Sequence, residues 1–181
     1  MAGLPGACLL SLGLLMAFSP ASAQRSAAAG LSAVAPGSLR IPVLGVEASM
    51  IQDHFDEVRG AQRHEALDIM APRGTPVVAV ADGRVAKLFT SKPGGLTVYQ
   101  FDSSGRFAFY YAHLDRYAHG LKEGALLKRG DAIGAVGSTG NALPDAPHLH
   151  FAVFRLGPGR EWWKGTPLNP YPMLVGRHGP R

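Results

Sequence analysis

Glycine and proline recur at short intervals along the whole chain, and this spacing limits what the chain can fold into. Its 181 residues include 23 Gly and 14 Pro, well above the usual share of about 12%. No stretch of helical length shows a 3.6-residue apolar repeat. Frequent turn formers between short apolar runs favour strands joined by turns over long helices.

Several short apolar runs are separated by turn signals and predict β-hairpins. Thr75–Ala81 and Arg84–Phe89 flank Asp-Gly, which is typical of a two-residue hairpin. Leu96–Phe101 and Phe107–Leu114 flank Asp-Ser-Ser-Gly and predict a second one. Further candidates are Ala125–Val136, interrupted by a turn at residues 129–131, and Pro147–Phe154. The sequence therefore predicts a mostly β, single antiparallel sheet or sandwich domain with few short helices.

The N-terminal segment has the pattern of an export signal. Residues 1–23 contain no charged side chain, and their apolar run is too short to span a bilayer. Small residues at positions 21 and 23 are typical of a signal-peptidase site. We therefore expect a signal peptide at 1–23, a linker or short propeptide at 24–40, a folded domain at 41–175 and a basic tail at 176–181.

Charge and cysteine content narrow the environment of the mature protein. Cleavage after residue 23 removes the only cysteine, Cys8, so that disulfides are excluded afterwards. The net charge of +5 favours an anionic neighbour such as a cell envelope. Basic residues are scattered, without a basic run, and this argues against nucleic acid as a partner. We expect a protein of the periplasm, cell wall or extracellular space without a stable membrane span.

Two histidines on the final predicted strand share one face. Strand alternation puts His148 and His150 on the side of Ala152 and Phe154, and the large apolar residues between them on the other. Their separation of roughly 6.5–7 Å allows one imidazole to bind a metal while the other faces the metal-bound water. Burying two imidazoles without partners is costly, which favours a metal or catalytic role over a surface pair.

A second pair of ligand types lies in the segment His64-Glu-Ala-Leu-Asp68. It is not the helical H-E-x-x-H motif, because Pro72 and Pro76 follow at once and a helix would not continue through them. We expect a turn to bring His64 and Asp68 together, with Glu65 pointing away. Together with His150 they make two imidazoles and one carboxylate, the composition of a catalytic zinc site with an open position for water.

His113 ends the strand that begins at Phe107. Alternation predicts that it shares a face with Phe107, Phe109 and Tyr111. A single histidine in that setting is more often a core residue, but beside a zinc site it is a candidate acid or base.

Taken together, these segments resemble the zinc metallopeptidases of the LytM and lysostaphin type, which are peptidoglycan endopeptidases. The resemblance runs from about Asp53 to Phe154 and rests on separated motifs in the right order. These are HEALDIMAPRGTPVVAVADGRV (64–85), YYAHL (110–114), LKRGDAIGAVGSTGN (127–141) and PHLHF (147–151).

The resemblance implies a lysostaphin-type peptidase fold, of duplicated-hybrid-motif architecture, with one zinc ion per chain. It implies that His64, Asp68 and His150 hold the zinc and that His113 and His148 are catalytic, without dividing their roles. The implied substrates are stem peptides or cross-bridges of peptidoglycan, hydrolysed by a zinc-activated water. We expect a monomer.

Other functions fit the sequence less well. A non-catalytic wall-binding or hydrolase-activating module of the same fold remains an alternative. A lipoyl- or biotinyl-type carrier would need a modifiable lysine on a hairpin tip, usually beside Met or Ala, and the Met-Lys-Met form of that tip is missing. Ser138 lacks the Gly-x-Ser-x-Gly spacing of a serine hydrolase.

Overall fold

The structure is a computed structural model that describes residue 1, residues 34–35 and residues 37–176. The predicted signal peptide (after Met1), most of the predicted linker and all but the first residue of the predicted tail lie outside the described residues. Apart from Met1, the described residues belong to one compact unit that begins at Val34. Among them, no helix is both long and apolar enough to cross a membrane.

Short strands dominate the described part of the chain, and helix is confined to two brief segments. A 3₁₀ turn covers Ala48–Met50, and a single helix, α1, covers Tyr171–Val175. The strands are β1 (Val58–Arg59), β2 (Gln62–Arg63), β3 (Leu67–Met70), β4 (Pro76–Val78), β5 (Gly83–Ser91), β6 (Gly95–Asp102), β7 (Phe107–Tyr117), β8 (Leu126–Leu127), β9 (Ala132–Val136), β10 (His148–Leu156) and β11 (Gly165–Leu168). The predicted mostly-β class with few short helices is confirmed.

Nine of these strands form one antiparallel sheet. Its main path runs β11-β10-β7-β6-β5-β8, while β3 pairs with β10 and β9 pairs with both β4 and β7. Strands β1 and β2 form a separate hairpin. The long strand β10 therefore lies at the centre of the pairing, with β7 on one side and β3 and β11 on the other.

One face of the sheet carries the core. Alternate residues of β6, β7 and β10 point into it, and the other face of β10 remains more open. Fully buried members include Val98, Phe109, Tyr111, Leu149, Phe151 and Val153. The predicted facing of β10 is confirmed, because its apolar set is buried while His148 and His150 lie on the opposite, partly accessible side.

Of the predicted hairpins, the one built from β6 and β7 is confirmed, whereas the one around Asp82-Gly83 is wrong. Strand β4 pairs with β9, and β5 pairs with β6 and β8. The backbone between β4 and β5 is bonded elsewhere: Ala79 N–H donates to the Asp131 carbonyl and Val80 N–H donates to the Tyr111 hydroxyl. These bonds draw the chain across the core, and β5 begins in a different part of the sheet.

We expect Tyr111→Phe to lower the free energy of unfolding by about 1–3 kcal/mol. The Tyr111 hydroxyl is buried, donates to Gln100 Oε1 at 2.7 Å and accepts from Val80 N–H at 3.1 Å. Removing it leaves two buried polar groups without that partner. Urea unfolding at a fixed zinc concentration measures the loss. Tyr117→Phe is the control, because its hydroxyl bonds the Phe89 carbonyl near the surface; an equal loss in both variants would contradict the prediction.

Candidate metal centre and active site

The register of β10 brings the predicted ligands together. His150 lies opposite Asp68 of β3 on one side and opposite Ala112 of β7 on the other. His64 precedes β3 and returns toward Asp68 through a turn in which Glu65 has a φ of 54°. Glu65 is exposed, as predicted. The turn predicted between His64 and Asp68 is therefore present.

Three ligand atoms from these residues form a nearly equilateral triangle. His64 Nε2 lies 3.1 Å from Asp68 Oδ1 and 3.2 Å from His150 Nδ1, and His150 Nδ1 lies 3.1 Å from Asp68 Oδ1. Tetrahedral coordination at about 2.0–2.1 Å places ligand atoms roughly 3.3 Å apart. The donor set and the spacing therefore fit a zinc ion, and these three residues could hold one.

Further contacts orient two of these ligand side chains. His64 Nδ1 donates to the His54 carbonyl at 3.2 Å, which leaves Nε2 unprotonated and facing the triangle. Arg59 Nη1 donates to Asp68 Oδ2 at 2.8 Å, so that Oδ1 is the oxygen left for the triangle. Neither partner was predictable from the sequence, because one is a backbone carbonyl and the other lies on a separate hairpin.

The pKa of Asp68 is held well below its usual range. Burial of the carboxyl raises the pKa, but the close contacts of Oδ1 with the imidazoles of His150 and His64 favour the ionised carboxylate and outweigh that effect. The pKa of His150 is also lowered, because burial disfavours its charged form more than Asp68 favours it. An ionised carboxylate beside a neutral imidazole is the protonation state that a metal requires of its ligands.

His113 reaches the triangle because of a β-bulge. The β6–β7 register shifts between Leu96 and Val98, and His113 has a φ of 58°. The bulge turns its side chain away from Tyr111 and toward the open face, where its ring centroid lies 5.5 Å from that of His150. The prediction that His113 shares a face with Phe107, Phe109 and Tyr111 was therefore wrong, because regular alternation ends at the bulge.

The 137–140 turn fixes the tautomer of His113. Its Nδ1 donates to the Thr139 carbonyl at 2.8 Å, which leaves Nε2 unprotonated in the neutral ring. Burial lowers the pKa of His113 to about 4, against a smaller opposing effect of the bond to Thr139. A Cβ on Gly95 would lie 2.2 Å from Thr139 Oγ1, so that only glycine allows this approach.

His148 is arranged in the same way. Its Nδ1 donates to the Ala146 carbonyl at 2.8 Å, and its Nε2 lies 3.6 Å from Asp68 Oδ1. The His113 and His148 ring centroids are 4.9 Å apart. The structure thus brings all five predicted site residues together, with two imidazoles beside the three ligand candidates.

A cleft of about 350 Å³ opens over His64, His113 and His150. Its wall includes Tyr110, whereas Tyr111 is buried in the core. Trp162 packs against Phe89 and Tyr99 instead of lining this cleft. Asp115 pairs with Arg73 and Arg116 outside the cleft.

An antiparallel sheet that carries a His-Asp-His triangle beside two further imidazoles has the composition of a single-metal hydrolase centre. Residues 62–170 match the model of Peptidase family M23, and the chain belongs to this family of peptide-bond hydrolases. The resemblance seen in the sequence is confirmed.

Curated relatives include bacterial cell-wall endopeptidases. The chain is 33% identical over 120 residues to an L-Ala–D-Glu endopeptidase of Bacillus subtilis, and the matched region covers 64% of this chain and 35% of the relative. It is 36% identical over 112 residues to the glycyl-glycine endopeptidase ALE-1 of Staphylococcus capitis, covering 61% and 29%. The matched region is thus about a third of each relative.

Solved structures show the same fold. The catalytic domain of lysostaphin from Staphylococcus simulans matches with a TM-score of 0.58 and 29% identity, over 68% of this chain and 89% of that domain. A zinc-containing peptidase from Vibrio cholerae matches with a TM-score of 0.53 and 26% identity, over 76% and 38%. These neighbours confirm the predicted lysostaphin-type fold.

Proposed function

We propose that this protein is an exported, monomeric zinc endopeptidase that hydrolyses peptide cross-links of peptidoglycan in the periplasm or cell wall. One observation carries the proposal: in a chain of Peptidase family M23, the ligand atoms of His64, Asp68 and His150 lie 3.1–3.2 Å apart. The net charge of +5 suits an anionic cell envelope, and the N-terminal sequence supports export.

His64, Asp68 and His150 would hold one zinc ion per chain. When bound, zinc supplies an activated water with a pKa lowered toward about 7 and polarises the carbonyl of the scissile amide. His64 Nε2 is kept available by the bond from Nδ1 to the His54 carbonyl. Arg59 occupies Asp68 Oδ2 and so keeps the carboxylate in one orientation.

His113 and His148 supply the proton transfers. Each holds its Nδ1 proton on a backbone carbonyl. His113 lines the cleft, and Nε2 of His148 lies 3.6 Å from Asp68 Oδ1. One ring accepts a proton from the attacking water. The other ring, in its doubly protonated form, donates a hydrogen bond from Nε2 to the oxygen on which negative charge develops, a contact worth about 3 kcal/mol in related cases. The proton that was accepted then passes to the amine that leaves.

The test is mass spectrometry of the products that the purified protein releases from purified peptidoglycan, with zinc and with a chelator. We expect chelator-sensitive release of opened cross-linked peptides, whose masses identify the bond. If a protein that holds one zinc per chain releases no products, the proposal that peptidoglycan is its substrate is contradicted. Wall binding with neither zinc nor release would replace the enzyme with a non-catalytic binding module.

A further inference from the structure

The β1–β2 hairpin forms one wall of the active-site cleft and gives it a positive charge. Arg59, Gln62 and Arg63 of the hairpin line the cleft, next to His64. Among the described residues that line it, two are arginines and none is an aspartate or glutamate. A bound zinc ion would make the same space more positive still.

The two arginines differ in how firmly they are paired. Arg59 donates from Nε and Nη2 to Glu57 Oε2 at 3.2 and 2.8 Å, and from Nη1 to Asp68 at 2.8 Å. Its fork is therefore already used to orient a ligand candidate. If Arg59 bound a substrate group instead, it would lose its hydrogen bond to Asp68, and Asp68 would no longer be held in one orientation. Arg59 is therefore poorly suited to bind the substrate.

Arg63 is free to change partners. It donates to Asp56 through Nη1 alone, and the two side chains are 61% and 72% exposed. Such exposed pairs contribute roughly 0–1 kcal/mol, because solvent screens the charges and both side chains lose rotamer freedom. A substrate carboxylate inside the cleft is less exposed to solvent than Asp56. It can therefore replace Asp56 as the partner of Arg63 at little cost, and it can accept hydrogen bonds from both arms of the guanidinium group.

We infer that the substrate carries a free carboxylate close to the scissile amide, and that Arg63 determines this specificity by pairing with it. The inference rests on the proposed function and narrows it. It selects acidic stem peptides over neutral bridges such as oligoglycine and over stem peptides whose carboxylates are amidated. Arg63 directly precedes His64 in the chain, and both residues line the cleft.

Two synthetic cross-linked stem peptides test the inference. One has free carboxylates on its D-Glu and diaminopimelate residues, the other has both as carboxamides, and pentaglycine serves as a neutral third substrate. We expect kcat/KM of the wild-type protein to be about 10- to 100-fold higher for the acidic peptide, the usual range for a hydrogen bond to a charged group. We expect pentaglycine to be the poorest substrate.

Arg63→Gln should reduce the acid-to-amide ratio of kcat/KM to about 1, whereas Arg63→Lys, which keeps the charge without the fork, should retain part of the preference. Arg116→Gln is the matched control, because Arg116 is 64% exposed and pairs with Asp115 but lies outside the cleft. It should retain the full ratio. Zinc content and melting temperature show that each variant is folded.

The possible results distinguish a failure of the role of Arg63 from a failure of the proposed endopeptidase activity. Equal cleavage of both stem peptides by the wild type, a preference that survives in Arg63→Gln, or faster cleavage of pentaglycine would overturn the role of Arg63 while leaving the endopeptidase intact. Cleavage of none of the three peptides, nor of peptidoglycan, by zinc-loaded protein would overturn the proposed function and this inference with it.

Discussion

His113→Asn is expected to keep one zinc per chain and to lose about 10²- to 10⁴-fold in kcat, the usual contribution of a positioned acid or base. The His113 ring lies beside His148 and His150. Its Nδ1 is bonded to the Thr139 carbonyl, so that Nε2 is the nitrogen left for proton transfer. Asparagine suits the test because it tolerates the left-handed backbone of this position better than alanine does. Zinc content and steady-state peptide hydrolysis are the two measurements.

His148→Ala should also keep zinc and lose kcat, whereas the control His119→Ala should keep both its zinc and its kcat. His119 is exposed on a turn beyond the end of β7. Loss of zinc from either site variant would show that the ring is a ligand, and unchanged kcat would remove it from the reaction. The pH profiles of the two site variants would also divide the roles, because the proton acceptor sets the acidic limb of the wild-type profile.

The sequence was sufficient for the parts of the site that depend on regular alternation. His148 and His150 fall on one face of β10 because strand geometry leaves no other arrangement once the apolar residues between them are buried. The turn between His64 and Asp68 followed from the prolines downstream, which exclude a helix. The choice of these residues as partners for His150 came from their chemistry, and the β3–β10 register then placed them together.

Features that depend on a break in alternation or on long-range pairing were not predictable. The bulge that redirects His113 adds a residue to β7 without any glycine or proline at that point of the strand. The pairing of β4 with β9 instead of β5 is decided by bonds to Asp131 and Tyr111, far away in the sequence. Short strands have no local pattern that selects one partner over another.

The contact between Arg59 and Asp68 is another long-range feature. Arg59 lies on a two-residue strand in an exposed hairpin, where an arginine would ordinarily be a solvated surface residue. Only the path of the hairpin brings its guanidinium within 2.8 Å of Asp68 Oδ2. Charge at the cleft wall thus arises from the fold of residues 58–63 and not from a motif.

Asp68→Asn should abolish hydrolysis and weaken zinc binding by more than the 10- to 100-fold that is typical of outer-shell changes. The substitution removes the only carboxylate of the triangle, whose Oδ1 lies 3.1 Å from both His64 Nε2 and His150 Nδ1. It also leaves Arg59 beside an uncharged amide. Isothermal titration with zinc, together with peptide hydrolysis at saturating zinc, measures both losses.

Stability supplies an independent readout of the same substitution. A metal that binds only the folded protein raises the free energy of unfolding, and the rise grows with the ratio of zinc concentration to Kd. Zinc should therefore raise the melting temperature of the wild type, and a chelator should reverse the rise. Neither zinc nor the chelator should change the melting temperature of Asp68→Asn. Asp115→Asn is the control, because its carboxylate pairs with Arg73 away from the triangle. An Asp68→Asn protein that binds zinc as tightly as the wild type would show that the metal lies elsewhere.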